Sequence, residues 1–371
     1  MNVLTYFLYG NRAEYELELT LSILSALRHL GPENTDITIA VVTDRTSFLP
    51  GFPIELITVP AEEIIAWQAT SAGKFNHRAK PYALLAALDH YQAPAALLDT
   101  DTYFLRDPRE LFTRIADNKS LMHASDHYVI ADNALVQPIA KKYPNGIDLL
   151  GVHIDPQSEM LNSGVVGVTP SNRRLIAQSI ELIDLLYPIA PAFTIEQFSF
   201  GLYLRTFTQL SFCEDILLHY WGVGYRKPFI HLAVSRFMKE HEGKPWQNIV
   251  EASRNIRPDF PKSSKLDVAV AKALGRLRKW DGSYQFAYLA YRTALSKASK
   301  DPELANLWAA TALLSLGKFL DAHRLEHPTS PIATRQLLND FPRFAPSSLE
   351  SLPWLATQNK SAWRQHWARY A

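Results

Sequence analysis

The chain has 371 residues, enough for two domains, and its 47% hydrophobic and 20% charged residues exclude an intrinsically disordered protein. A single cysteine, Cys213, excludes an internal disulfide, and no apolar run approaches the ~20 residues of a membrane span. The net charge of +1 is too small for nucleic acid to be the expected partner, but residues 1–235 carry 17 basic against 25 acidic side chains and residues 236–371 carry 21 against 12.

Strand-like "NVLTYFLY" starts almost at Met1 with no basic leader, so no signal peptide and a cytoplasmic location are expected. "EYELELTLSILSALRHL" places Leu17, Leu21, Leu24 and Leu27 at helical spacing and stops at Gly31-Pro32. "DITIAVVTD" and "IELITVP" read as strands, "KPYALLAALDHY" as a helix with Pro81 in its first turn, and "PAALLDTD" and "SLMHASD" as strands. "MLNSGVVGVT" is a strand with a central glycine, and "EQFSFGLYLRTF" a helix. This rhythm predicts an α/β fold, a mainly parallel sheet with helices on its faces, over residues 1–235.

Past Arg236 the texture changes. A polar, proline-punctuated stretch leads into "LDVAVAKALGRLRKW", "SYQFAYLAYRTALSKASK" and "PELANLWAATALLSLGKFLDAHRL", which predict a basic α-helical domain over residues 236–371. The terminal "WRQHWARY" sets Trp363 and Trp367 four apart beside Arg364 and Arg369. That pattern suits an anionic membrane surface, and it equally suits packing on the protein itself, the expectation preferred here.

Asp99 and Asp101 follow the apolar run "PAALL". Residues i and i+2 of a strand share a face, so the two carboxylates converge at the carboxyl end of a buried strand, where open α/β sheets bind ligands. Two close carboxylates repel unless a cation or a proton lies between them. Oxygen ligands suit Mg²⁺ or Mn²⁺, whose natural partner is a diphosphate. Aspartates that cap a turn would read the same way locally.

Four stretches in order resemble the metal-dependent glycosyltransferases of GT-A fold, the family-8-like group in particular: "LLDTD", "MLNSGVVGV", "IEQFSF" and "LLHYWGVGYRKPFIH". The resemblance covers roughly residues 1–235. It implies a GT-A-type sheet, a nucleotide-sugar donor (expected to be a UDP-sugar), Mn²⁺ or Mg²⁺ as cofactor, and a glycan, glycolipid or protein acceptor. It also implies transfer with retention of anomeric configuration. In this reading Asp99 and Asp101 bind metal and donor, and His219 is a third ligand whose imidazole suits Mn²⁺ better than Mg²⁺. Lys227 faces the diphosphate, although "VGYR" and Phe229 depart from the family's ending. Arg78 or Lys80, at a helix start, touches phosphate. Thr5 and Tyr6, or Tyr9 and Gly10, cradle the base, and Asp44 accepts from base or ribose. Asn162 lies near the donor sugar. Glu196 and Gln197 match the pair beneath the anomeric carbon, with Glu standing where the family has Asp.

Two other readings stay open. "DTDT" imitates the motif of haloacid-dehalogenase-type phosphatases, although about a hundred residues of α/β pattern precede it and the family's later acidic signature is missing. Alternatively, the first half only binds a nucleotide sugar and residues 236–371 are a non-catalytic interaction module, with the basic region meeting an anionic glycolipid or membrane surface.

Overall fold

A computed structural model describes residues 1–221, 225–326, 337 and 339–370. The chain divides into two compact units, Met1–Val223 with Ala233–Pro258, and Gly224–Leu232 with Asp259–Ala371. Residues 233–258 therefore fall with the first unit, past the boundary at 235 expected from the change in texture.

The first unit is α/β. The strands that build its main sheet and the site are β1 (Asn2–Leu8), β2 (Ile37–Thr43), β3 (Glu55–Thr58), β4 (Ala95–Leu98), β5 (Thr102–Phe104), β6 (Lys119–Val129), β7 (Glu159–Val168), β8 (Gln209–Phe212) and β9 (Leu217–His219). Seven of them form one sheet in the order β8-β6-β7-β4-β1-β2-β3. Pairing is parallel from β4 through β1 and β2 to β3 and between β6 and β8. Only β7 runs antiparallel to its neighbours β4 and β6. The sheet is thus mixed and mainly parallel.

Its strands read as nearly continuous apolar runs because both faces are covered. On one face Leu4, Tyr6 and Leu8 pack with Leu19, Ile23 and Leu27 of α1 (Ala13–Leu30). On the other, Val3, Ala95 and Leu97 pack with Ala83 and Leu84 of α2 (Ala79–Tyr91) and Ile176 of α3 (Arg173–Leu186). The period of two in β1 sends alternate residues to the two layers. Helix α1 ends at Gly31, whose φ of 74° lets its N–H close on Leu27 O at 2.9 Å. Helix α4 (Ile195–Phe207) packs on β7, where Gly201 leaves room for the Leu161 side chain.

Helix α5 (Lys227–Glu240) has its start, Lys227–Leu232, in the second unit. That unit continues with α6 (Lys265–Arg278), α7 (Gly282–Lys297), α8 (Pro302–Glu326) and α9 (Thr357–Tyr370). Its core is aromatic: Tyr284, Tyr291, Trp308, Phe341, Phe344, Trp363 and Trp367 are all buried. Trp367 Nε1 donates to Phe344 O at 2.7 Å. Trp363 and Trp367 are thereby turned inward, to the protein's own core. Among the described residues no helix is long and apolar enough to cross a membrane.

Candidate functional site

Strand β4 delivers Asp99 and Asp101 to the carboxyl edge of the sheet, the edge where β1 ends at Tyr9-Gly10 and β2 at Asp44. The chain then turns back as β5. Strand β9 pairs antiparallel with β5 and sets His219 opposite Thr102. Tyr220 N donates to Asp101 O at 3.0 Å and Asp99 N to Gly164 O at 2.9 Å, which pins the turn from both sides. One ligand atom from each of Asp99, Asp101 and His219 lies within 4.8 Å of the others.

The tautomer of His219 follows from its neighbours. Its Nδ1 lies 2.8 Å from Asn162 Oδ1, an acceptor that also receives Gly164 N–H at 2.9 Å. Nδ1 therefore carries the proton, and in the neutral ring Nε2 is left with a lone pair. That atom is buried without a hydrogen-bond donor, 3.2 Å from Asp101 Oδ1 and 3.5 Å from Asp99 Oδ2. A lone pair aimed at two carboxylates is repulsive unless a proton or a metal cation sits among them. The donor set, two oxygens and an imidazole nitrogen held by a second hydrogen bond, fits a divalent metal of Mn²⁺ type. Gly164 makes the arrangement sterically feasible, since a Cβ there would overlap the His219 ring. It sits where the β6–β7 register slips between Asn162 and Val166, and this irregularity carries Asn162-Ser163-Gly164 to the site.

Lys80, in the first turn of α2, reaches Asp99 Oδ1 at 2.8 Å and Glu196 Oε1 at 3.1 Å, and donates to Ser163 Oγ at 3.2 Å. Burial alone would lower its pKa, but the two carboxylates outweigh burial and hold it above the ordinary lysine range. Glu196 moves up: burial dominates, Lys80 opposes it and Asp99 adds to it. Asp99 and Glu196 thus share one ammonium, that of Lys80, while Asp101 faces His219. Gln197 donates to Asp126 Oδ2 at 3.0 Å. Asp126 also takes a hydrogen bond from Asn162, and burial raises its carboxyl.

Asp44 accepts from Gly10 N through both oxygens at 3.2 and 3.1 Å, so Gly10 and Asp44 are joined at the sheet edge, with half-buried Tyr9 stacked on Phe7 beside them. Thr5 and Tyr6 lie elsewhere. Both are fully buried in the middle of β1, too deep in the sheet to meet a base. Tyr6 has a different part: its hydroxyl meets Ser22 Oγ at 2.8 Å, Ser22 meets Thr102 Oγ1 at 2.8 Å, and Thr102 donates to Asp99 O at 2.9 Å. With one proton per hydroxyl, only Tyr6→Ser22→Thr102→Asp99 satisfies all three bonds. Arg78 is also not brought to the aspartates, because Asp184 holds its guanidinium in two bonds at 2.7 Å while Trp67 O takes a third. Lys227 opens α5, half-buried, in the second unit, whereas the cluster is built wholly from the first.

Three participants escaped the sequence reading. Asp126 closes the apolar stretch "SLMHASD" inside β6, as Asp44 and Asp99 close the apolar stretches of β2 and β4, and the same signal would have found it. Glu18 accepts from Thr100 Oγ1 at 3.2 Å, and it is buried on α1 among leucines, where only a polar residue on the apolar stripe gave it away. Trp221, half exposed with its ring 6.4 Å from that of His219, carried no signal.

No protein-family model matches the chain, and no curated protein matches it. Among solved structures, it is similar to the galactosyltransferase LgtC in complex with donor and acceptor sugar analogues (19% identity, 57% of this chain and 73% of that one, TM-score 0.39). It is also similar to mouse xyloside xylosyltransferase 1 in its apo form (12% identity, 57% and 85%, TM-score 0.40) and to an active-site mutant of LgtC (16% identity, 57% and 72%, TM-score 0.39). Likenesses this partial leave the chemistry to the residues themselves.

Proposed function

We propose that the protein is a metal-dependent glycosyltransferase of GT-A type that moves a sugar from a nucleotide-sugar donor, a UDP-sugar, to an acceptor hydroxyl with retention of configuration. The observation that carries this reading is the convergence of His219 Nε2, Asp101 Oδ1 and Asp99 Oδ2 at the carboxyl edge of an α/β sheet, with Nε2 buried, 3.2 Å and 3.5 Å from the two carboxylates. The order of the four sequence stretches supports it. Asp99, Asp101 and His219 would hold Mn²⁺. When bound, such an ion neutralises the diphosphate and stabilises the departing nucleotide. Lys80 puts a fixed positive charge beside the same place, in a site dry enough for that charge to count. Asp44 and Gly10 shape the edge at which a base would lie. Glu196, gripped by Lys80 and Ser163, and Gln197, gripped by Asp126, line the neighbouring wall with oriented polar groups. A donor sugar seated there meets positions set before it arrives.

The test is calorimetric titration of the purified protein with a panel of nucleotides and nucleotide sugars, in Mn²⁺ and in EDTA, alongside Asp101→Ala. The expected outcome is binding of a UDP-sugar in Mn²⁺, lost in EDTA and in the variant. Absence of nucleotide binding in every condition, or release of inorganic phosphate from a phosphomonoester without any sugar acceptor, overturns the proposal.

A further inference from the structure

We infer that the outer face of α6 in the second unit docks on an anionic lipid bilayer. The inner side of this helix is accounted for. Asp267, Ala271 and Gly275 are buried, Asp267 pairs with Arg292 at 2.9 Å, and Gly275 admits the Gln285 side chain. The outer side is not. Leu266 is 68% and Leu277 79% exposed. Leu266, half-buried Val270, Ala273 and Leu277 follow one another at i, i+4, i+7 and i+11, so they form one stripe along the helix, to one side of the buried Asp267, Ala271 and Gly275.

Cations border this stripe on its solvent side. Residues 262–279 carry Lys262, Lys265, Lys272, Arg276, Arg278 and Lys279 against one acid, Asp267, which is buried and paired. Arg278 is taken up by Asp340 and Trp280. Lys262, Lys265, Lys272, Arg276 and Lys279 are all exposed, and among the described residues none of them has an ion-pair partner.

The chemistry selects the occupant. A cationic helix whose stripe holds two exposed leucines and small residues offers no aromatic anchor of the kind that dominates protein interfaces. An apolar stripe has no use on nucleic acid. A bilayer with acidic headgroups satisfies both parts at once, taking the leucines into its acyl boundary and the lysines at its phosphates. Trp363 and Trp367, the other candidates for such a surface, are spent on the core.

The test uses the full chain in vesicle flotation, with vesicles of equal parts phosphatidylcholine and phosphatidylglycerol against pure phosphatidylcholine. Binding to the mixed vesicles alone, released by high salt, is expected. Lys265→Gln/Lys272→Gln/Arg276→Gln should weaken it by about a hundredfold, at roughly fivefold per basic residue near the surface. Leu266→Ser/Leu277→Ser should weaken it by about tenfold or more. Every altered side chain is exposed, so both variants should keep the thermal midpoint of the wild type. Failure to bind the mixed vesicles, equal binding to both kinds, or unchanged binding by either folded variant overturns the inference. So does self-association in solution that the leucine double variant abolishes, since that would assign the face to a second copy of the chain.

Discussion

The two units bury very different things. At the sheet edge of the first, Asp101, Glu196 and Lys80 are all out of solvent, and the imidazole of His219 is turned on carboxylates. The core of the second is a stack of rings, with Phe344 and Trp363 centroids 4.8 Å apart, and its buried acids, Asp267 and Asp340, are each matched by an arginine. Rings in contact stabilise a fold and ask for nothing more. Carboxylates crowded in a dry site cost stability unless a further charge arrives, and such a mismatch marks a place built to bind. The first unit thus carries the candidate site, and the second is held by packing.

The comparison is sharpest for two substitutions of similar cost. Lys80→Met leaves Asp99 and Glu196 without their cation, and should cost about 3–5 kcal/mol. Trp363→Ala opens a cavity in the aromatic core and should also cost about 3–5 kcal/mol. Mn²⁺ tells them apart. Denaturant unfolding should show excess Mn²⁺ restoring part of the loss in Lys80→Met, because the ion replaces the missing charge, and none of the specific loss in Trp363→Ala. Equal rescue of both would dissolve the contrast between the units.

Next in size is Asn162→Ala. It removes the acceptor that holds the Nδ1 proton of His219, and Mn²⁺ affinity should fall about 10–100-fold. Electron paramagnetic resonance of free Mn²⁺ reads this directly, and an unchanged affinity would sever the link from Asn162 to the metal. The smallest effect belongs to the second unit. Burial, with Arg369 acting in the same direction, lowers the pKa of His366 from 6.5 to about 4. Folded, the group binds fewer protons than unfolded between those values, so stability should fall as the pH is lowered through that window. The loss should be about 1–3 kcal/mol. Urea midpoints at pH 7.5 and 5 should diverge for the wild type and less for His366→Gln, the remaining divergence coming from His77 and His123, which burial also lowers to about 4.

Much of this was legible in the sequence because it is local. A period of two, a period of 3.6, Gly31 ending a helix and Pro81 opening one each depend on neighbours a few residues away. The pairing of Asp99 with Asp101 is local as well, and so is their place at the end of an apolar strand. The partners that make them a site are remote in the chain. His219 arrives only because β9 folds back on β5, Lys80 because α2 packs beside β4, and Asn162 because β7 slips register against β6. Tyr6 shows the same limit from the other side. Its place at the start of the chain suggested a base contact, and the layer it faces sent its hydroxyl to Ser22 instead. Arg78 and Lys80 are two residues apart and chemically alike. Only the helix geometry and the position of Asp184 decided which one meets the aspartates. The sequence by itself determined the elements and the type of chemistry. Tertiary structure chose the partners, because which side chain lies three ångströms from a carboxylate depends on how segments that are not neighbours in the chain pack together.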